Sequence, residues 1–128
     1  MRRAATNFLF FVLGVLTSIV ILSASAYSNN ANIFFESLYD VPVMPGLVEI
    51  DDYALSFDAP QGRVAEAAAL VDSGVQITEI MNFYMKSLPQ LGWAGNSQNT
   101  YIREDERLTI SAEVHNGKNV VLFLLEPR

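Results

Sequence analysis

Cysteine is absent from the 128 residues. No disulfide can staple the fold, no thiolate can act as nucleophile, and no cysteine-ligated zinc can form. The lipid-attachment cysteine of a bacterial lipoprotein is missing as well, so only an apolar segment could tether the chain to a membrane. Histidine occurs once, at position 115, which leaves no metal-spaced histidine pair. Nothing resembles a glycine-rich phosphate loop or a nucleophile elbow. Positive charge is scarce: eight Lys and Arg stand against fourteen Asp and Glu, for a net charge of −6. That balance speaks against nucleic acid and anionic lipid headgroups as partners, and by itself it reads as a device for solubility.

What is present begins at the N-terminus. Arg2 and Arg3 precede an uncharged apolar run over residues 8–22, and Ser23-Ala24-Ser25-Ala26 follows. Positive, apolar and then small residues are the order of an export signal. Two readings of it stand. As a cleaved signal peptide it has an h-region of about 15 residues and an Ala24-Ser25-Ala26 site before Tyr27. As a retained anchor, residues 8–27 offer about 20 positions without charge, enough for a hydrocarbon core of about 30 Å. Thr17, Ser18, Ser23 and Ser25 weaken the anchor, and Tyr27 suits the far interface. In both readings Arg2 and Arg3 hold the N-terminus in the cytoplasm and the remainder lies outside. The product is a soluble periplasmic domain if cleaved after Ala26, or an inner-membrane-anchored one if not. Without Arg2 and Arg3, six basic side chains remain against the same fourteen acids.

The organisation expected is a signal or anchor over 1–26, a linker and extended proline-containing arm over 27–47, and an α+β domain over 48–128. Ser28 to Asn32 is polar and reads as linker. Residues 33–39 read as one helical turn or an extended entry. Pro42 and Pro45 bar a helix, so residues 40–47 read as an extended lead-in laid against the domain. Tyr53, Leu55 and Phe57 alternate as a strand. Pro60-Gln61-Gly62 is a turn by its chemistry. Residues 63–71 are alanine-rich and have helix propensity, but a turn directly after a strand favours a returning hairpin, so strand is preferred and a second helix is the alternative.

A helix is expected over residues 78–91, capped by Thr78 with Glu79 in its first turn. Ile80, Phe83, Tyr84, Leu88 and Leu91 form its apolar stripe. Pro89 should tighten its last turn, and Gly92 should end it with Trp93 folded back on Leu88. Residues 99–103 form a short strand, and Glu104-Asp105-Glu106 a charged turn. Leu108, Ile110, Ala112 and Val114 alternate with Thr109, Ser111, Glu113 and His115, as in a strand wet on one face. Asn116-Gly117 is a hairpin turn. The returning run Val120 to Leu125 is apolar on both faces and should be a central or doubly covered strand. The fold class is therefore α+β: a small antiparallel sheet of about five strands in the order β-β-α-β-β-β, with one helix packed on one face, preceded by the apolar signal or anchor helix.

Four blocks carry a resemblance: Val43-Met44-Pro45-Gly46-Leu47, Phe57-Asp58-Ala59-Pro60-Gln61-Gly62-Arg63, Phe83-Tyr84 with Leu88-Pro89-Gln90-Leu91-Gly92-Trp93, and a strand end near Arg103-Glu104. Over residues 40–128 the chain resembles a group of uncharacterised exported small-domain proteins of proteobacteria. The resemblance implies a periplasmic domain of the strand–helix–strand kind. It supplies no activity, cofactor or catalytic residue. It also favours the strand reading of residues 63–71, although the alanine run departs from the group's pattern.

No catalytic, cofactor-binding or metal-ligating residue is expected. His115 lies on the solvent face of its strand. Glu113 and Ser111 share that face, but residues two apart on a strand are about 7 Å apart, too far to bond directly. Glu49, Asp51 and Asp52, and Glu104, Asp105 and Glu106, lack the glycine and the alternate spacing of a calcium loop. They read as charged turns, with Glu104 and Glu106 pairing Arg103 and Arg107 at about 0–1 kcal/mol a pair. Met81 and Met85 beside Phe83 and Tyr84 suit core packing more than a binding patch. The function expected is a non-enzymatic exported envelope domain that binds protein, through its sheet or through the arm at residues 42–47. Two alternatives stand: a small-ligand or lipid-binding domain with a cavity lined by Phe83, Met85, Trp93 and Phe123, and an accessory subunit of an inner-membrane complex. The partner expected is an envelope or membrane protein, with membrane contact only through residues 8–27 if these are retained.

Overall fold

The computed structural model describes residues 33–128. The signal or anchor at 1–26 and the linker at 28–32 lie outside that range. Strands β1 (Leu47–Glu49), β2 (Leu55–Ala59) and β3 (Gly62–Val71) precede helix α1 (Ile77–Ser87), and β4 (Ala94–Gly95), β5 (Thr100–Arg103), β6 (Glu106–His115) and β7 (Lys118–Pro127) follow it. Among the described residues these form a 7-stranded antiparallel sheet in the order β1-β3-β7-β6-β5-β4, with β2 sharing the β1 side of β3. The α+β class with one helix stands. The count of about five strands does not, because β1 and β4, three and two residues long, carry too little sequence to show a period.

The alanine-rich segment is strand β3, beside the central β7. Ala65, Ala67 and Ala69 pair with Leu125, Phe123 and Val121, and all six side chains are buried. Helix propensity differences of a few tenths of a kcal/mol per residue yield here to two ladders of hydrogen bonds. Asn116-Gly117 closes the β6–β7 hairpin with φ of 51° and 74°, and His115 pairs with Lys118.

The helix begins one residue earlier than expected. Gln76, not Thr78, is its N-cap, and the Glu79 carboxylate accepts the Gln76 N–H at 3.3 Å. Pro89 lies in a 3-10 turn, Leu88–Leu91, and Gly92 follows at φ +90°. The Trp93 N–H donates to the Leu88 carbonyl at 3.1 Å. Of the expected stripe, Ile80, Tyr84 and Leu88 are fully buried, Phe83 partly, and Leu91 is exposed.

Strand parity divides the sheet into a covered face and an open one. On the covered face, Val121, Phe123 and Leu125 of β7 join Leu108 and Ile110 of β6 beneath α1. Ala112 and Val114, expected in the core, are exposed, because the β6–β7 hairpin runs past the end of the covering layer. That layer includes more than the helix. Residues 33–44 fold back on themselves, with Phe35 N–H bonded to Val41 O at 3.1 Å and Val43 N–H to Ile33 O at 2.7 Å. Phe35, Leu38 and Val41 are buried in the same core as the helix. Phe35 meets Phe123 at 4.6 Å between ring centroids, and Tyr84 meets Phe123 at 5.1 Å. The Tyr84 hydroxyl donates to the Pro42 carbonyl at 2.8 Å and accepts the Met44 N–H at 3.3 Å, locking the segment to the helix. Burial drives the Tyr84 phenol well above its ordinary range, so it keeps its proton and both bonds. Residues 33–44, expected as part of an extended arm, instead fold back and contribute Phe35, Leu38 and Val41 to the core.

Candidate functional site

Two constellations stand out, one on each face. The first is a charged cluster at the rim of the covered face. Asp40 from the N-terminal segment bonds Arg63 of β3 at 3.2 Å and also bonds Arg103 of β5. Glu106 of β6 bonds Arg63 at 3.2 Å and Arg103 at 3.1 Å. Two acids and two bases thus alternate around one patch, and their charges cancel. Tyr39 stacks 4.8 Å from the Arg63 guanidinium, and Trp93 4.2 Å from that of Arg103. Burial alone would raise the Asp40 carboxyl, but the hydrogen bonds and charges of the two arginines outweigh it and hold the group below its usual value. Burial likewise disfavours the charged arginines, and their acidic partners more than offset it.

This cluster ties four segments together. No local pattern announces it, since Asp40 and Arg63 come from parts of the chain 23 residues apart. The expected turn pairing is found in part: Glu106 holds Arg103, whereas Arg107 bonds Glu126 at 3.3 Å. Among the described residues Glu104 has no ion-pair partner.

The second constellation is the open sheet face. Leu55 of β2, Glu66 of β3, Leu124 of β7 and Thr109 of β6 stand in one cross-strand row. Phe57, Val48 and Leu122 share that face by register. Val48, Tyr53, Leu55 and Phe57 are each about half exposed, at 56%, 48%, 46% and 49%. Tyr53, on the 3-10 turn between β1 and β2, stands beside a groove of about 260 Å³ floored by Leu122 and Leu124. Among the described residues no strand pairs with the outer edge of β2. Free edge groups beside an apolar face form a template for another strand. Acids ring the edge: Asp51, Asp52 and Asp58 are exposed beside it.

The remaining sequence candidates do not converge. Ser111, Glu113 and His115 are exposed on the open side of β6, where Ser111 lines the groove and His115 stands at the hairpin tip. Among the described residues no three His, Cys, Asp or Glu side chains gather closely enough to hold a metal ion. Glu49 accepts the Glu36 N–H at 3.2 Å, and burial raises its carboxyl despite that bond. Asp51 and Asp52 are exposed on the 3-10 turn. Phe123 and Trp93 are core residues, while Met85 is 57% exposed on the outer side of the helix, so the proposed ligand-lining set is split between core and solvent. Among the described residues no helix is long and apolar enough to cross a membrane. Comparison with protein-family models, curated proteins and solved structures found no match.

Proposed function

We propose that this chain is a non-enzymatic exported envelope domain that binds protein, with strand β2 and the open sheet face as its docking surface. The observation that carries the reading is the row of half-exposed apolar side chains, Val48, Tyr53, Leu55 and Phe57, along a sheet edge with which no strand pairs among the described residues. Large side chains left half-exposed in this number forgo much of the stabilisation that full burial would give. They gain by burial against a partner, at about 25 cal/mol per Å² of apolar area. An extended segment that adds to β2 satisfies the free backbone groups and covers the apolar row in one step. The export signal in residues 1–26 supports an envelope location for that partner.

A photocrosslinking residue placed at position 57 of the full chain, in its native cells, tests the reading. A defined protein adduct is expected from position 57 and not from position 98, at the far end of the sheet. It should disappear when Leu55→Asp is added. The same abundant proteins captured from both positions would overturn the reading.

A further inference from the structure

We infer that the groove on the open face selects a lysine or arginine side chain carried by an extended, otherwise apolar segment of the partner. The inference rests on the protein-binding reading above and names what that surface recognises.

Glu66 is the one ionisable acid lining the groove. Its neighbours in the row are Leu55 on one side and Leu124 on the other. Among the described residues neither a lysine nor an arginine pairs with it. Elsewhere on this face Glu126 is matched by Arg107 at 3.3 Å. An unmatched carboxylate on an apolar floor is tolerated while water reaches it. A strand docked on β2 would cover Leu55, and a side chain that it lays across Leu55 into the groove would displace that water. Covering the carboxylate without a counter-charge is costly, whereas a cation in reach turns the same contact favourable. The groove therefore discriminates mainly by penalising partners that bring no cation.

Reach is adequate. Neighbouring strands are about 4.8 Å apart, so an added strand lies about 10 Å from β3. A lysine or arginine can lay its aliphatic stem on Leu55 and present its charged head to Glu66. Its neighbour two residues along the added strand faces Phe57, where an apolar side chain fits. A second copy of this chain is disfavoured as occupant, because edge-to-edge pairing would bring together two acidic edges, each with Asp51, Asp52 and Asp58 exposed beside it.

The test uses the full chain in neutral detergent and two dye-labelled ten-residue peptides that alternate valine with threonine, one with a lysine and the other with a glutamate in place of a central valine. Fluorescence anisotropy is expected to show the lysine peptide binding at least tenfold more tightly. Glu66→Gln should weaken the lysine peptide about fivefold or more. Glu104→Gln, which removes the same charge from an exposed turn outside the groove, should change it less than twofold. Near-ultraviolet circular dichroism verifies that both variants are folded. Equal affinity of the lysine peptide for the wild type and Glu66→Gln, or equal losses in both variants, would overturn the inference, as would failure of the lysine peptide to bind. Protein binding itself is judged separately, by the adducts formed from position 57.

Discussion

At the scale of single residues, Asp40 has the most demanding environment. It accepts from two arginines at once, and its side chain is 18% exposed. Its folded value lies below the ordinary 3.8. A depressed carboxyl contributes stability that is complete above the unfolded value and is lost as pH falls through the folded one. The domain should therefore lose stability progressively below about pH 4 as this carboxylate protonates. Asp40→Asn should lower the unfolding free energy at pH 7 by about 1–3 kcal/mol, since Arg63 and Arg103 would share only Glu106. It should also flatten the dependence of the urea midpoint on pH between 5 and 3. An unchanged slope in that window would show that Asp40 does not carry the acid sensitivity. Tyr39 and Trp93 flank the two arginines, which explains why a patch of four charges can sit at the edge of a hydrophobic core.

At the scale of elements, β3 shows how small side chains serve a strand. Ala65, Ala67 and Ala69 face the covered side. Their size lets residues 33–44 come close: Ser37 Oγ donates to the Glu66 carbonyl at 2.6 Å, and Phe35 reaches Phe123, the cross-strand partner of Ala67. Ala67→Leu would push into that aromatic pair and should cost about 1–3 kcal/mol by overpacking, measured by denaturant unfolding. Gly95 makes a similar point at the opposite edge, where an added Cβ would lie 2.7 Å from the Tyr101 ring. Strand β2 is the opposite case, with four of its five residues exposed and the fifth half-buried. Phe57→Asp should change stability by no more than about 0.5 kcal/mol, because surface positions contribute little. With the crosslinking residue moved to position 55, loss of the adduct in Phe57→Asp with unchanged unfolding would separate the binding role of β2 from any structural one. A large loss of stability would instead make Phe57 a packing residue.

At the scale of the molecule, the covering layer has two parts, α1 and the folded-back segment at 33–44. Phe35, Leu38 and Val41 are each 1% exposed or less. Full burial of such a side chain contributes about 1.5–3 kcal/mol, so the three together rival the 5–15 kcal/mol that holds a typical domain folded. Deleting residues 1–44 should therefore abolish cooperative thermal unfolding, whereas cleavage after Ala26 should leave it intact. Scanning calorimetry of the two truncated chains checks both outcomes. The position of this segment also bears on attachment. If residues 8–27 are retained as an anchor, only residues 28–32 separate Tyr27 from Ile33, and they span at most about 20 Å. The partner of an anchored form would then have to lie close to the membrane surface.

Much of this architecture is legible in residue order. The β6–β7 hairpin follows from Asn116-Gly117 between alternating strands, and the helix stop follows from Pro89 and Gly92. Strand β3 follows from the turn that precedes it. These are local signals, acting within a few residues through backbone angles and side-chain period. Other features depend on positions far apart in the chain and leave no such trace. The alternation of β6 could not reveal that the covering layer ends before Ala112. The four-charge cluster joins Asp40, Arg63, Arg103 and Glu106, which meet only once the sheet is formed. Which sheet face stays open, and that Glu66 stands on it without a counter-charge among the described residues, is likewise decided by where residues 33–44 and α1 come to rest. Local sequence determined the elements, and long-range packing determined which of their surfaces remained available.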